Sequence, residues 1–136
     1  MRLNIALIDT QTSNIKSVYY ALLYTGFEVT IIKSSLDFKK KFHGLFFPGI
    51  GSFQSVIENV KKKDLESIIK DQINLIPSLF ICVGMQILFE GSDEFGFTEG
   101  LGVLEGKVKK IPKQFKNDEI QVPAIGWNRV TGFNLN

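Results

Sequence analysis

The stretch of sequence that decides the fold is residues 79–86, which read Leu79-Phe80-Ile81-Cys82-Val83-Gly84-Met85-Gln86. An apolar run ends at Cys82, the only cysteine of the chain, and a helix-like segment begins there. A residue at such a strand-to-helix turn is exposed above the sheet and faces backbone N–H groups at the start of the helix. The stretch therefore predicts an α/β sheet with a nucleophilic thiol at one edge.

Composition sets wide bounds on the class of protein. The chain has 136 residues, of which 44% are hydrophobic and 22% charged, as expected for one soluble globular domain over residues 1–136. A net charge of +2 predicts no nucleic-acid or membrane partner. The sequence starts without a signal-peptide pattern or an apolar stretch of membrane-spanning length, and one cysteine cannot form an internal disulfide. We expect a cytoplasmic protein.

Short apolar runs alternate with segments of helical period, which is typical of a parallel sheet covered by helices on both faces. The predicted fold is α/β, a flavodoxin-like three-layer sandwich with a mostly parallel sheet. The predicted strands are Asn4–Asp9, Phe27–Ile32, His43–Phe47 and Pro77–Ile81, with further strand-like pieces at Leu101–Ile111 and Ile120–Val130. The predicted helices are a first one capped by Ser13 or Asn14 and ending near Gly26, then Ser35–Phe42, Phe53–Asn74 and Gly84–Glu90.

Two loops of this predicted sheet are expected to form a reactive site together. Pro48–Gly51 and Cys82–Gln86 both follow strands, and loops at the carboxyl ends of parallel strands lie side by side where ligands bind. N–H groups of the glycine-rich loop and of Val83 could together bind an oxyanion beside the thiol. The predicted reaction class is acyl transfer through a thioester.

The residues resemble a known family, and the resemblance extends over essentially the whole chain. The matching segments are Ile8-Asp9 with Asn14, Phe47–Phe53, Cys82–Glu90, Gly100-Leu101-Gly102 with Gly106, Val122-Pro123 and Gly126-Trp127-Asn128. In this order they resemble the class I, or triad, glutamine amidotransferases, and within them the glutaminase subunits of imidazole glycerol phosphate synthase in histidine biosynthesis.

The resemblance implies a set of residue roles. Cys82 would attack the side-chain carboxamide of L-glutamine, and ammonia would pass to a (β/α)₈-barrel synthase (cyclase) subunit in a heterodimer. No cofactor and no metal are expected. The implied sites are oxyanion binding by the backbone of Gly49, Ile50 and Val83, substrate binding by Gly51, Gln86 and Glu94, and partner contact by Asn14, Trp127 and Asn128.

The sequence also departs from the family pattern. Phe80 stands where the family's Gly-x-Cys-x-Gly turn begins with glycine, and Ala124 replaces a histidine before Gly126. The family's catalytic histidine and glutamate come from a later segment without a counterpart in residues 1–136, so the chain resembles the first two thirds of the family's domain. His43, the only histidine, is expected at the amino end of its strand, away from Cys82.

Several alternatives stay open at this point. The chain could be a non-catalytic relative that binds or regulates a synthase partner, a paralogous amidotransferase that supplies ammonia to sugar modification, or a different α/β protein with a reactive cysteine, such as a small hydrolase or redox sensor. Trp127 could belong to the core rather than to a partner surface. The runs Lys39–Lys41 and Lys61–Lys63 are interpreted as solvated helix faces.

Overall fold

Four parallel strands form the central sheet of the protein in a computed structural model. The structure describes residues 2–11, 14–115, 118–123, 125–129 and 131–132. The strands of this sheet are β1 (Asn4–Ile8), β2 (Glu28–Ile32), β3 (Gly44–Phe47) and β4 (Ser78–Phe80). They lie in the order β2-β1-β3-β4, with every pair parallel. The predicted α/β fold with a mostly parallel sheet is confirmed.

One face of the sheet carries the hydrophobic core. Its strands present alternate residues to this face, among them Ile8, Leu45 and Phe47, which are almost fully buried. Two helices, α2 (Phe53–Lys62) and α3 (Glu66–Ile73), cover them with their apolar sides. Loop 48–52 leads from β3 into α2, and residues 81–82 follow β4, so both loops begin at strands that pack against this core.

The other face of the sheet is covered more thinly. Helix α1 (Ile15–Tyr24) lies here, since Val18 and Leu22 line a shallow groove together with Phe46, whose side chain points away from the core. None of the helix residues is fully buried. The face has an open, mostly apolar groove of about 390 Å³ between Leu22, Phe46 and Leu79. With helices on both faces, the elements form three layers.

Several predicted element boundaries are corrected by the structure. The predicted helix over 53–74 is two helices, because the chain turns at Asp64 with a φ of +53°. The predicted helix over 35–42 is a 3₁₀ turn at Ser35–Asp37 only. Gly26 ends α1 with a φ of +91°, as a residue without a side chain can, and this prediction is confirmed. Asn14 precedes α1, but its side chain makes no capping hydrogen bond, and Ser13 lies outside the described residues.

The largest correction concerns the segment after Cys82. Helix α4 spans only Val83–Gln86, and the predicted continuation to Glu90 is wrong because Phe89–Ser92 forms strand β5. This strand pairs antiparallel with β6 (Thr98–Glu99) and parallel with β7 (Leu104–Val108) in a second, small sheet. The apolar residues of 87–89 suit a strand as well as a helix, and the pairing decides between them.

The last described part of the chain is less regular than predicted. Strand β7 lies inside the predicted strand-like piece Leu101–Ile111. Next comes a small hairpin of β8 (Gln114–Phe115) and β9 (Asp118–Glu119). The predicted strand over 120–130 is wrong for its described residues, none of which lies in a strand, and Pro123 lacks the N–H that a ladder requires. No helix among the described residues is long and apolar enough to cross a membrane.

Candidate active site

The thiol of Cys82 lies on a sharp turn between β4 and α4. Cys82 has a φ of +55° and a ψ of −124°, a backbone conformation that costs free energy in a residue with a side chain. Its carbonyl accepts hydrogen bonds from the N–H groups of Met85 at 3.0 Å and Gln86 at 3.1 Å, which start the helix. The cysteine is exposed. The turn therefore presents the sulfur at the carboxyl edge of the sheet, as the sequence predicts.

Two glycines allow the loops that follow β3 and β4 to touch. A Cβ atom on Gly49 would lie 3.0 Å from the carbonyl carbon of Val83, and closer still to the nitrogen of Gly84. A Cβ atom on Gly84 would lie 2.7 Å from the carbonyl oxygen of Phe47. Real Cβ atoms do not approach other heavy atoms so closely. Loop 48–51 and the cysteine turn are therefore in backbone contact, and larger residues at these two positions would separate them.

Backbone donors are available where the two loops meet. No hydrogen bond among the described residues uses the N–H of Gly49, Ile50 or Val83. Ile50 and Gly51 are exposed, and Gly51 has a φ of +114° that favours glycine. The structure thus brings the three predicted oxyanion donors to the edge that carries Cys82, with their N–H groups unengaged. Their joint binding of an oxyanion remains a prediction.

The predicted substrate residues lie on either side of the turn. Gln86 ends α4, one helical turn after Cys82, and is half buried. Glu94 is exposed in the turn between β5 and β6, but it is not free of protein contacts. Its Oε2 accepts a hydrogen bond of 2.9 Å from the backbone N–H of Phe53, the first residue of α2. Sequence reasoning missed this contact, which joins residues 41 positions apart.

His43 lies where the parallel strands begin, at the end of the sheet opposite Cys82. It immediately precedes β3, and its Nδ1 accepts a hydrogen bond of 3.0 Å from the backbone N–H of Asn4 at the start of β1. Cys82 follows the carboxyl end of β4, which runs parallel to β3. The histidine therefore joins two strand starts, as expected for a residue without a role at Cys82.

Phe80 fits the turn despite its size. Its ring stacks on that of Phe47 in the neighbouring strand, with centroids 5.6 Å apart and planes at 17°. The two residues are also direct partners in the β3–β4 ladder. The bulky side chain packs against the core, and the backbone of Cys82 still adopts the positive φ of the turn.

Polar groups at the end of β1 are buried at the edge of the sheet that carries Cys82. Asp9 is 7% exposed, and its carboxylate accepts a hydrogen bond from the N–H of Gln11 at 2.8 Å. The Nζ of Lys63 donates to the carbonyl oxygen of Asp9 at 2.9 Å. The prediction that residues 61–63 form a solvated face is thus wrong for Lys63, which ties the end of α2 to the loop after β1.

The predicted partner residues are exposed. Asn14 and Asn128 are exposed, and Trp127 has a relative exposure of 104%. Trp127 is therefore outside the core that the described residues form. Ala124, where the sequence lacks the family's histidine, lies outside the described residues. Within the part of the chain that the structure describes, no cluster of three histidine, cysteine or acidic residues could hold a metal ion.

The chain is similar to a known family and to several known proteins. The family model for "Glutamine amidotransferase class-I" matches residues 6–128. The chain is 36% identical over 126 residues to the imidazole glycerol phosphate synthase subunit HisH of Exiguobacterium sibiricum, covering 93% of this chain and 62% of that protein. It is 42% identical over 130 residues to the corresponding subunit of Cyanophora paradoxa, covering 94% and 58%.

Two further similarities concern a longer protein and a solved structure. The imidazole glycerol phosphate synthase hisHF of Schizosaccharomyces pombe is 38% identical over 125 residues, which cover 91% of this chain and 22% of that protein. A crystal structure of a glutamine amidotransferase superimposes with a TM-score of 0.62 at 19% identity, covering 76% of this chain and 55% of the other, and supports the fold. The chain spans about 60% of the length of the HisH relatives that it matches.

Proposed function

Because this chain belongs to the class I glutamine amidotransferase family, we propose that it is a glutaminase subunit that hydrolyses L-glutamine to glutamate and ammonia. The observation that carries the proposal is the exposed Cys82, held on a positive-φ turn in backbone contact with a glycine loop whose N–H groups make no hydrogen bond to any residue that the structure describes. A reacting carbonyl needs both an attacking sulfur and donors for the developing oxyanion.

In the proposed reaction, the sulfur of Cys82 bonds to the carboxamide carbon of glutamine and the carbonyl oxygen becomes an oxyanion. The N–H groups of Gly49, Ile50 and Val83 donate to that oxygen. The C–N bond then breaks, ammonia leaves with a transferred proton, and water cleaves the glutamyl thioester to give glutamate and the free thiol. Gln86 and Glu94, with Gly51 in the facing loop, hold the amino-acid end of the substrate.

Proton transfer in this scheme requires a group other than His43. The histidine side chain is engaged with Asn4 at the opposite edge of the sheet. A general base must come within hydrogen-bond reach of the thiol, directly or through one water molecule. In our proposal the base is therefore supplied by a further polypeptide segment that completes the site beside Cys82.

The proposed acceptor of the ammonia is the cyclase subunit of an imidazole glycerol phosphate synthase, a (β/α)₈ barrel, in cytoplasmic histidine biosynthesis. The curated relatives named as synthase subunits support this assignment, as does the S. pombe synthase, within which the matching region is a part of a longer protein. Fully exposed Trp127, with Asn14 and Asn128, supplies the contact surface in this proposal. Exposed aromatic residues are common anchors of protein interfaces.

A non-catalytic relative that binds or regulates such a synthase is the second candidate. It is favoured by one observation, the engagement of the only histidine far from the thiol. The two candidates differ in whether the site around Cys82 recognises glutamine.

Protection of the thiol tests the proposal. Cys82 is alkylated with iodoacetamide and followed by intact mass, with L-glutamine, D-glutamine or L-asparagine present. The proposal expects L-glutamine to slow alkylation in a saturable way and the other two amino acids to have little effect. Cys82→Ala is the blank, because the chain has no second thiol. Equal alkylation rates with all three amino acids, in the presence and absence of a barrel subunit, would favour the non-catalytic candidate.

A further inference from the structure

Glu94 connects the turn between β5 and β6 to the first residue of α2. Its Oε2 lies 2.9 Å from the N–H of Phe53. The turn itself is held in place, because the N–H of Glu94 donates to the hydroxyl of Ser92, which is 2% exposed, at 3.1 Å. The carboxylate therefore projects from an anchored position rather than from a free loop end.

The hydrogen bond from Phe53 to Glu94 satisfies a backbone N–H group that the serine cap of α2 does not reach. Ser52 is the N-cap of α2, and its hydroxyl accepts from the N–H of Ser55, two residues beyond Phe53. A capping side chain reaches the second or third N–H of a helix, so the first N–H needs another acceptor or water. A carboxylate is the favoured acceptor at this position, because it also faces the positive end of the helix dipole. Glu94 supplies it from a different element.

The helix start held by Glu94 is continuous with the loop beside the thiol. Loop 48–51 runs from the end of β3 to the cap residue Ser52, so β3 fixes one end and α2 fixes the other. In its middle, Gly49 is in backbone contact with the cysteine turn. The ring of Phe53 also packs beside Gly100, where a Cβ atom would lie 3.1 Å from its Cζ, so this helix residue contacts both the turn before β6 and the residue that follows β6.

We infer that Glu94 is a positioning residue, which holds the start of α2 through the N–H of Phe53 and thereby sets the place of the Gly49 and Ile50 donors relative to Cys82. The inference rests on the proposed function and deepens it. It is a second role beside the one implied by the family resemblance, in which Glu94 binds the substrate directly. A positioning role needs an acceptor oxygen at the right length, whereas binding of the substrate's ammonium group needs a negative charge.

The pair Glu94→Gln and Glu94→Ala separates the two roles. Glutamine keeps an acceptor oxygen of the same reach and loses only the charge. The full chain is treated with a diazoketone analogue of L-glutamine, and the maximal rate of Cys82 modification and the half-saturating concentration are measured by intact mass. We expect Glu94→Ala to lower the maximal rate about tenfold, since small misplacements of reacting groups have large effects on rate. Glu94→Gln should retain most of the maximal rate, whatever the loss of the charge does to half-saturation.

Two controls define the comparison. Asp93→Ala removes the neighbouring exposed acid and is expected to behave as wild type. Alkylation by iodoacetamide, which needs no oxyanion donors, should be equal in all four proteins. The inference is wrong if Glu94→Gln and Glu94→Ala weaken half-saturation alike with the maximal rate intact, or if Glu94→Ala labels as fast as wild type.

A second readout is independent of the proposed function. Hydrogen exchange of the Phe53 amide, with residues 49–52 followed alongside, is measured in wild type and both variants. We expect at least tenfold faster exchange of the Phe53 amide in Glu94→Ala and near wild-type protection in Glu94→Gln. If wild type shows no saturable labelling, the proposed function fails, yet the exchange result still decides the positioning role. Unchanged exchange in Glu94→Ala would overturn it.

Discussion

The contact between the glycine loop and the cysteine turn predicts a large effect of adding one methyl group at Gly49. In Gly49→Ala, the new Cβ would lie 3.0 Å from the carbonyl carbon of Val83 and 3.1 Å from the Cα of Gly84. Carbon atoms in van der Waals contact are about 3.5–4.0 Å apart. All the nearest atoms belong to the backbone, so no side chain can rotate away. The new Cβ would come closer still to the nitrogen of Gly84, so one of the two loops must move by roughly one ångström or more.

Two quantities should respond to that movement. Overpacking of this kind costs about 1–3 kcal/mol of the free energy of unfolding, measured by urea denaturation. Displacement of the donors from the thiol should lower the maximal rate of Cys82 modification by the diazoketone analogue by about 10- to 100-fold. Alkylation by iodoacetamide should change much less, because it does not use the donors of the loop. The ratio of the two rates is therefore the informative measurement.

Gly44→Ala is the matched control. Its Cβ would lie 3.0 Å from the Cδ1 of Ile5 and 3.3 Å from the carbonyl oxygen of Pro77, at the start of β3 and far along the strand from the cysteine turn. We expect this variant to lose stability and keep the wild-type ratio of analogue to iodoacetamide labelling. The reasoning is refuted if Gly49→Ala has wild-type stability and an unchanged ratio, or if Gly44→Ala lowers the ratio as much.

Three further predictions concern other parts of the chain. Lys63→Met keeps the aliphatic length and removes the donor to the Asp9 carbonyl, so urea denaturation should show a free energy of unfolding lower by about 1 kcal/mol. Lys62→Met is the control and should be near neutral. Equal losses for the two variants would contradict the role of Lys63. The backbone N–H groups of Lys33 and Ser34 hold the pKa of Asp37 below its usual 3.8, so its carboxylate stabilises the fold above that pH and loses this effect as the pH falls through the lower folded-state pKa. The stability difference between wild type and Asp37→Asn should therefore be constant near neutral pH and shrink below about pH 4, and a pH-independent difference would refute the assignment. Trp127→Ala should weaken binding to a barrel synthase subunit by about 30-fold, measured by calorimetry, and leave the unfolding free energy unchanged; equal affinity would exclude Trp127 from the interface.

The parts of the site that depend on local sequence could be predicted. The apolar run before Cys82, the glycine after it and the glycines of loop 48–51 each have a local cause, namely a strand end, a close backbone approach or a positive φ. Parallel pairing of β3 and β4 then places the two loops together. The parallel sheet and the position of Cys82 followed from these features.

Other parts depend on contacts between distant residues. The predicted helix Gly84–Glu90 runs into β5 because the apolar residues of 87–89 fit both periods, and only pairing with β6 and β7 makes Phe89–Ser92 a strand. The bond from Phe53 to Glu94 and the bond from Lys63 to Asp9 span 41 and 54 residues. No local pattern signals them, because exposed-looking acids and lysines occur throughout the surface. A helix start with one capping serine and several unpaired N–H groups was the one available hint.

The most direct test of the central claim, that Cys82 is the nucleophile of a glutamine-recognising site, is the dependence of its modification rate on the concentration of the diazoketone analogue in the wild-type chain. The account predicts a rate that saturates, falls when L-glutamine competes, and yields a single adduct that peptide mapping places on Cys82. A rate that rises linearly with concentration and is indifferent to L-glutamine, in a folded chain supplied with its barrel partner and with the segment that completes the site, would contradict it.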